Sequence, residues 1–334
     1  MNYKELSNVF KKINKWYEKK TKVLNLKTRP FNVIEIFSDI INRVLHENKK
    51  ILYVFCSEEK DYIKVKINEI YEFLDETISS KQLEVNIHYA TIGNIEDTDE
   101  AYDLVIVDDI SLFSKISNEY IRESIENIYW KSRKIIIYSS EYIFPIGEKF
   151  ELPYIYSGEP MVEPRLMSTR IRLEENIPLS LFEYFKWFKE SKRIVLVVVP
   201  SEEKLNKVYN HYYEVLRDLN IRVVRYTKNQ DFKFIKESID GYSDSLFIIT
   251  NNCGQYMNNI LNVNIIILFA DDIYYSYKKI VYMCASLDNS REIQSELIMV
   301  SREISQDMDY ARSITREFNK RLWEKKYLKL WVKF

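Results

Sequence analysis

The stretch DLVIVDDISLF, residues 103–113, decides how this chain is read. A short β-branched run, Leu104 to Val107, ends at two adjacent acids, Asp108 and Asp109. Near-continuous apolar runs of this length are strands of a parallel sheet covered on both faces. An acid pair at the end of such a strand is how nucleotidases with a phosphate-binding loop hold Mg²⁺ through water and polarise the attacking water. The loop itself is missing. The pattern G-x-x-x-x-G-K-[ST], which cradles the phosphates, occurs nowhere in the 334 residues.

Runs of the same kind lie around it: ILYVFC (51–56), VNIHYA (85–90) and KIIIYSS (134–140), separated by helical-period stretches such as 33–47 and 61–77. Residues 145–178 break the rhythm with Pro145, Pro153, Pro160, Pro164, Pro178, Gly147 and Gly158, the composition of a domain boundary. A second set follows: IVLVVVP (194–200), IRVVRY (221–226), SLFIIT (245–250), VNIIILF (263–269) and SELIMVS (295–301). The expected fold class is α/β, two tandem parallel-sheet domains over 23–150 and 191–305. A linker over 151–190 joins them, with a basic N-terminal helix (1–22) and a basic aromatic C-terminal helix (306–334) on either side.

Composition excludes several classes. A formal net charge of −1 gives the molecule no overall field for nucleic acid, so any such attraction must come from a local patch. Cys56, Cys253 and Cys284 form no C-x-x-C pair and read as reduced core thiols of a cytosolic protein. No apolar run approaches the roughly 20 residues needed to cross a bilayer. His46, His88 and His211 stand in no metal-ligand spacing and read as structural.

Taken in order, these segments resemble the ComFA family, helicase-like DNA translocases of bacterial competence within helicase superfamily two. KVLNL (22–26) sits where the family's first strand would be, and EIFSDIINRVLHENKKILYVF (35–55) looks like the helix and strand after its phosphate loop. VIVDDISLF resembles its acidic motif, and IIIYSSEY (135–142) its coupling motif. EPRLMSTRIRLEENIPLSLFEYFKWF (163–188) and IVLVVVPSEEKL (194–205) look like its linker and the opening of its second motor domain. The resemblance implies two RecA-like domains, ATP and Mg²⁺ as cofactors, and single-stranded DNA and other DNA-uptake proteins as partners. It also implies a cytoplasmic protein held at the inner face of the membrane through those partners. The zinc module of the family's long form has no counterpart here.

The departures bear on chemistry. RPFNVIE (29–35) stands where the family carries glycines, a lysine and a hydroxyl. Glycine is needed there so that backbone N–H groups can wrap a phosphate at a helix N-terminus. In the second domain YMCASLDNS (282–290) places Ser286 and Asn289 at the family's arginine positions, and TNNCGQY (250–256) keeps only Gly254 of the preceding motif. Such arginines contribute about 10³–10⁵ in rate in related systems. No catalytic residue, cofactor or metal site is therefore expected. Asp108 and Asp109 read either as a residual Mg²⁺ site or, preferably, as an inherited strand terminus with solvated acids. Asp271 and Asp272 read as a turn or helix cap.

Cations interleaved with aromatic residues supply the binding candidates. Arg312, Arg316, Lys320, Arg321, Lys325, Lys326 and Lys329 alternate with Phe318, Trp323 and Tyr327 near the C-terminus, and Arg165, Arg170 and Arg172 lie in the linker. Phosphate contacts plus stacking on unpaired bases are what a single-strand binder uses. The alternative, preferred for the C-terminal segment, is an amphipathic helix with its aromatic stripe on the second domain and its charges in water. Three functions fit: a degenerate helicase-like protein that binds DNA or an uptake partner without ATP turnover; a protein-interaction scaffold; and a two-domain nucleotide-sugar transferase, which lacks a glycine-rich donor loop.

Overall fold

The structure, a computed structural model, describes residues 3–28, 34–57, 60–97, 100–109, 116–152, 160–227, 230, 238–239, 244–252, 263–287 and 294–331. The chain forms two compact units, Met1–Gly158 and Glu159–Phe334.

The first unit holds a six-stranded, all-parallel sheet in the order β3-β2-β4-β5-β1-β6. Its strands are β1 (Val23–Lys27), β2 (Ile51–Phe55), β3 (Ile87–Thr91), β4 (Tyr102–Asp108), β5 (Ser132–Ser139) and β6 (Glu148–Glu151). The central strands are apolar but for the acids of β4, because both of their faces are covered: every residue of β2 is buried, and all but Asp103 of β4. One face carries α1 (Tyr3–Glu18) and α2 (Ser38–His46), whose buried Ile40, Ile41, Val44 and Leu45 recur at helical spacing. The first core also takes in Ile63, Ile67 and Ile70 of α3 (Lys60–Glu72) and Leu83 of α4 (Ser80–Asn86). The other face is covered by α5 (Asn118–Tyr129) through Ile121, Ile125 and Ile128.

The basic N-terminal helix is part of this core. Leu6, Val9, Ile13, Trp16 and Tyr17 are all buried. Buried Lys134 of β5 donates to the carbonyls of Lys19 and Thr21 just beyond the helix end, the place where a cation suits the helix dipole.

The second unit repeats the design in the order β7-β12-β11-β8-β10-β9, again all parallel. Its strands are β7 (Arg165–Ser168), β8 (Ile194–Val198), β9 (Arg222–Tyr226), β10 (Leu246–Thr250), β11 (Val263–Leu268) and β12 (Leu297–Ser301). One face is covered by α6 (Leu179–Glu190) and α7 (Glu202–Asp218), with Leu181, Phe185, Phe188, Leu205, Tyr212 and Leu216 in one cluster. A further helix, α8 (Tyr277–Ser286), is buried from Ile280 to Ala285, and α9 (Gln306–Trp331) packs against it. Met308, Ala311, Thr315, Phe318 and Leu322 form the buried stripe of α9. Asn319 ties α9 to the start of the unit: its side chain accepts from Met161 N (2.7 Å) and donates to Met161 O (2.9 Å).

Two strands escape the sequence reading. Both β6 and β7 are four-residue edge strands, half exposed and without an apolar run. The stretch expected as a linker supplies β7 and α6 to the second unit. Part of VNIHYA is the end of α4, and strand begins only at Ile87.

Candidate functional site

In parallel α/β sheets ligands collect at the carboxyl ends of the strands. At that end of the first sheet, β1 leads through Thr28 to a short 3₁₀ turn, Ile34–Phe37, and into α2. Residues 29–33 of the RPFNVIE segment lie outside the described residues; Ile34, Ile36 and Phe37 are buried. The ring of Phe37 meets Tyr138 of β5 edge-on at 5.2 Å and Tyr53 of β2 at 6.4 Å. Tyr53 in turn tilts against Phe55 at 4.8 Å and donates its hydroxyl to Asp108 Oδ2 at 2.8 Å.

The acids at the end of β4 are therefore not solvated, contrary to the sequence expectation. Asp108 is 0% exposed and Asp109 7%. The backbone around them is locked as well: Cys56 N donates to Asp108 O at 3.0 Å, and Asp109 N to Tyr138 O at 2.9 Å. A carboxylate withdrawn from water needs partners, and a phenol hydroxyl supplies one here. That hydroxyl takes up acceptor capacity that a metal ion would otherwise use.

At the start of α2, where a phosphate-binding loop would deliver its ligand, the first turn carries exposed Asp39, hydrogen-bonded to Asn14 of α1. An acid there occupies the positive end of the helix dipole and opposes a second anion. Sequence reasoning saw the missing glycines but missed Tyr53, Phe37 and Tyr138. Their signal was a ring in each of ILYVF, IIIYSS and EIFSDI, segments that the fold brings together.

The second unit places the other motif residues as follows. Ser286 ends α8 and donates to Met283 O at 2.8 Å; Asn289 and Gly254 lie outside the described residues. Asp271 accepts from the backbone N–H groups of Arg302 and Glu303, each at 3.2 Å. Asp272 accepts from Lys204 Nζ (2.9 Å) and Tyr274 N (3.0 Å). Burial pushes the Asp272 carboxyl up, but Lys204 and the Tyr274 amide prevail and hold it below the usual carboxylate value. Among the described residues no group of three His, Cys, Asp or Glu side chains is placed to hold a metal ion.

The cationic candidates fall into two places. Arg170 and Arg172 line a cleft of about 850 Å³ at the carboxyl end of the second sheet, between β8 and β11, where the strand order reverses. Lys204, Lys207 and Arg302 join them there, but so do Glu174, Glu175, Asp271 and Asp272. Most of the charge is spent internally, as Lys204–Asp272 (2.9 Å) and Arg172–Glu175 (3.3 Å).

The second place joins residues that the sequence offered as separate patches. Arg165 of β7 and Arg312, Arg316, Lys320 and Trp323 of α9 line one groove of about 930 Å³. Arg165 grips Glu296 with two hydrogen bonds, 2.6 and 3.0 Å, and Arg316 Nε donates to Glu163 at 3.2 Å. Trp323 is 56% exposed, outside the buried stripe of its helix. Arg321 pairs with Glu317 on the same helix; the side chains of Lys325, Lys326 and Lys329 lie outside the described residues.

No family model matches this sequence, and no curated protein does. Solved structures match by shape. The DUF1998 helicase MrfA bound to DNA superposes with a TM-score of 0.51 at 12% identity, over 94% of this chain and 48% of that one. The Mycobacterium smegmatis helicase Lhr bound to ssDNA and AMP-PNP gives 0.50 at 10% identity, over 95% of this chain and 48% of that one. The chain thus spans about half the length of each. At such identities the likeness establishes the fold alone: two RecA-like α/β units in tandem, each built on a six-stranded parallel sheet.

Proposed function

We propose that this chain is a helicase-fold protein that binds single-stranded DNA without hydrolysing ATP, in the manner of a degenerate competence-type translocase working beside other DNA-uptake proteins. One observation carries the absence of ATP turnover. Asp108, the acid that would organise Mg²⁺, is buried and hydrogen-bonded to Tyr53, with the ring of Phe37 packed on Tyr53 and Tyr138. Phosphoryl transfer relies almost wholly on positioning and charge, and this end of the sheet offers an aromatic core instead. Nucleic acid as the ligand is supported by the order of the sequence motifs, by the DNA-bound state of the two structural neighbours, and by clustered cations in the second unit.

Steady-state phosphate release with Mg-ATP, with and without single-stranded DNA, tests the reading; no release above background is expected. DNA-stimulated release that disappears in Asp108→Ala would overturn it. Nucleotide binding is checked by thermal melting. A ligand at 100 times its dissociation constant stabilises a fold by about 2.7 kcal/mol, so an unmoved melting temperature in millimolar Mg-ATP is expected.

A further inference from the structure

We propose that the groove between β7 and α9 is the single-strand site, taking phosphates on the α9 cations and an unpaired base on Trp323. The inference rests on the reading of the chain as a DNA binder and adds the place and the chemistry. Arg312, Arg316 and Lys320 stand four residues apart, so they form one file along the helix at steps of about 6 Å, comparable to the phosphate repeat of an extended strand. Trp323 lies three residues further on, at the end of the file and more than half exposed.

Charge favours an anion. The groove is lined by four cations and two carboxylates, Glu163 and Glu296, which are engaged by Arg316 and Arg165. Arg312 and Lys320 have no acidic partner among the described residues. Those two ion pairs fix the rim and leave two positive charges for a ligand.

The lining chooses between anions. Leu166 and Met167 contribute partly accessible apolar surface, and half-buried Tyr184 adds a second ring to that of Trp323. An acidic peptide would satisfy the cations and leave these surfaces wet, whereas a nucleic acid strand supplies both a phosphate for the rim and a base face for the ring. A duplex would keep its bases stacked on each other. The groove opens at the amino ends of β7 and β12, with Arg165 the first residue of one and Glu296 just before the other. It lies away from the carboxyl edge, where this fold class keeps its ligands.

The test is anisotropy of a labelled thymidine oligonucleotide at several salt concentrations, on the full chain and on folded variants matched in melting temperature. Arg312→Ala with Lys320→Ala removes two phosphate contacts. The slope of log affinity against log salt is expected to shrink by about 1.4, at roughly 0.7 per contact for single strands. Trp323→Ala is expected to weaken binding about 5- to 150-fold, with Trp323→Phe restoring part of it. An intact chain that fails to bind at low salt overturns the site and the functional reading together. Binding that persists with unchanged slope in the double variant overturns the site alone. Equal competition by polyglutamate, with Trp323→Ala silent, would assign the groove to an acidic protein segment and overturn the base-stacking proposal.

Discussion

The carboxyl ends of the two sheets make an instructive pair. Both sheets are six-stranded and parallel, and each leaves a place where a ligand could sit. In the first unit that place is continuous with the core: Phe37, Tyr53 and Tyr138 are essentially inaccessible, and the acid beneath them is hydrogen-bonded. In the second, a cleft of about 850 Å³ stays open and wet, lined by charges that pair with one another. The difference follows from the side chains at each end. In the first unit Ile34, Ile36 and Phe37 supply apolar bulk that gains by leaving water, so this end closes and adds to stability. The second cleft is lined mainly by charged side chains, which offer little to bury, and it stays open.

The largest expected effect tests the closed end. Phe37→Ala removes a fully buried ring edge-on to two tyrosines, and such truncations cost about 3–5 kcal/mol. Denaturant unfolding of the variant should show that loss with little change in slope. A loss below about 1 kcal/mol would mean that the ring covers nothing, and the contrast between the two edges would fail.

A smaller effect probes the acid beneath it. Tyr53→Phe keeps the ring and deletes only the hydroxyl that donates to Asp108. Hydrogen bonds to charged groups contribute about 1.5–3 kcal/mol. Asp108→Asn should cost markedly less in the Tyr53→Phe background than in the parent, because the two changes act on one bond. Strict additivity would show that Tyr53 does not hold the acid.

The fold was largely legible because its central strands are buried on both faces and are therefore written as unbroken apolar runs. LVIV in β4 and VNIIIL in β11 leave no alternative reading. The edge strands were not legible: EKFE and RLMS are polar and half exposed, and only their neighbours make them strands. For the site, sequence shows what has been lost, since an absent glycine loop is a local fact. It does not show what fills the space, because Phe37, Tyr53 and Tyr138 come from three separate segments that the sheet order brings together. The same holds for the groove. Arg165 and Arg312 are far apart in the chain, and only the pairing of β7 with β12, and the Asn319–Met161 clamp, bring them to one surface.

The smallest expected effect belongs to the open end. Asp272 is held below its usual carboxylate value of 3.8, mainly against burial, by Lys204 and the Tyr274 amide. A depressed folded value means that the unfolded chain binds more protons around that pH. The stabilisation is thus fully present above 3.8 and fades as pH falls through the folded value. Lys204→Met keeps the aliphatic stem and removes the charge. Because both partners are partly solvated, the pair contributes only about 0.2–1 kcal/mol near neutrality. The melting temperatures of parent and variant should therefore differ slightly at pH 7 and converge in acid. Lys204 Nζ also sits 4.3 Å from the centre of the Phe269 ring, an attraction that does not depend on Asp272 being ionised. A difference that persists unchanged into acid would credit that ring rather than the carboxylate, and would show the open cleft to be built on packing, as the closed one is.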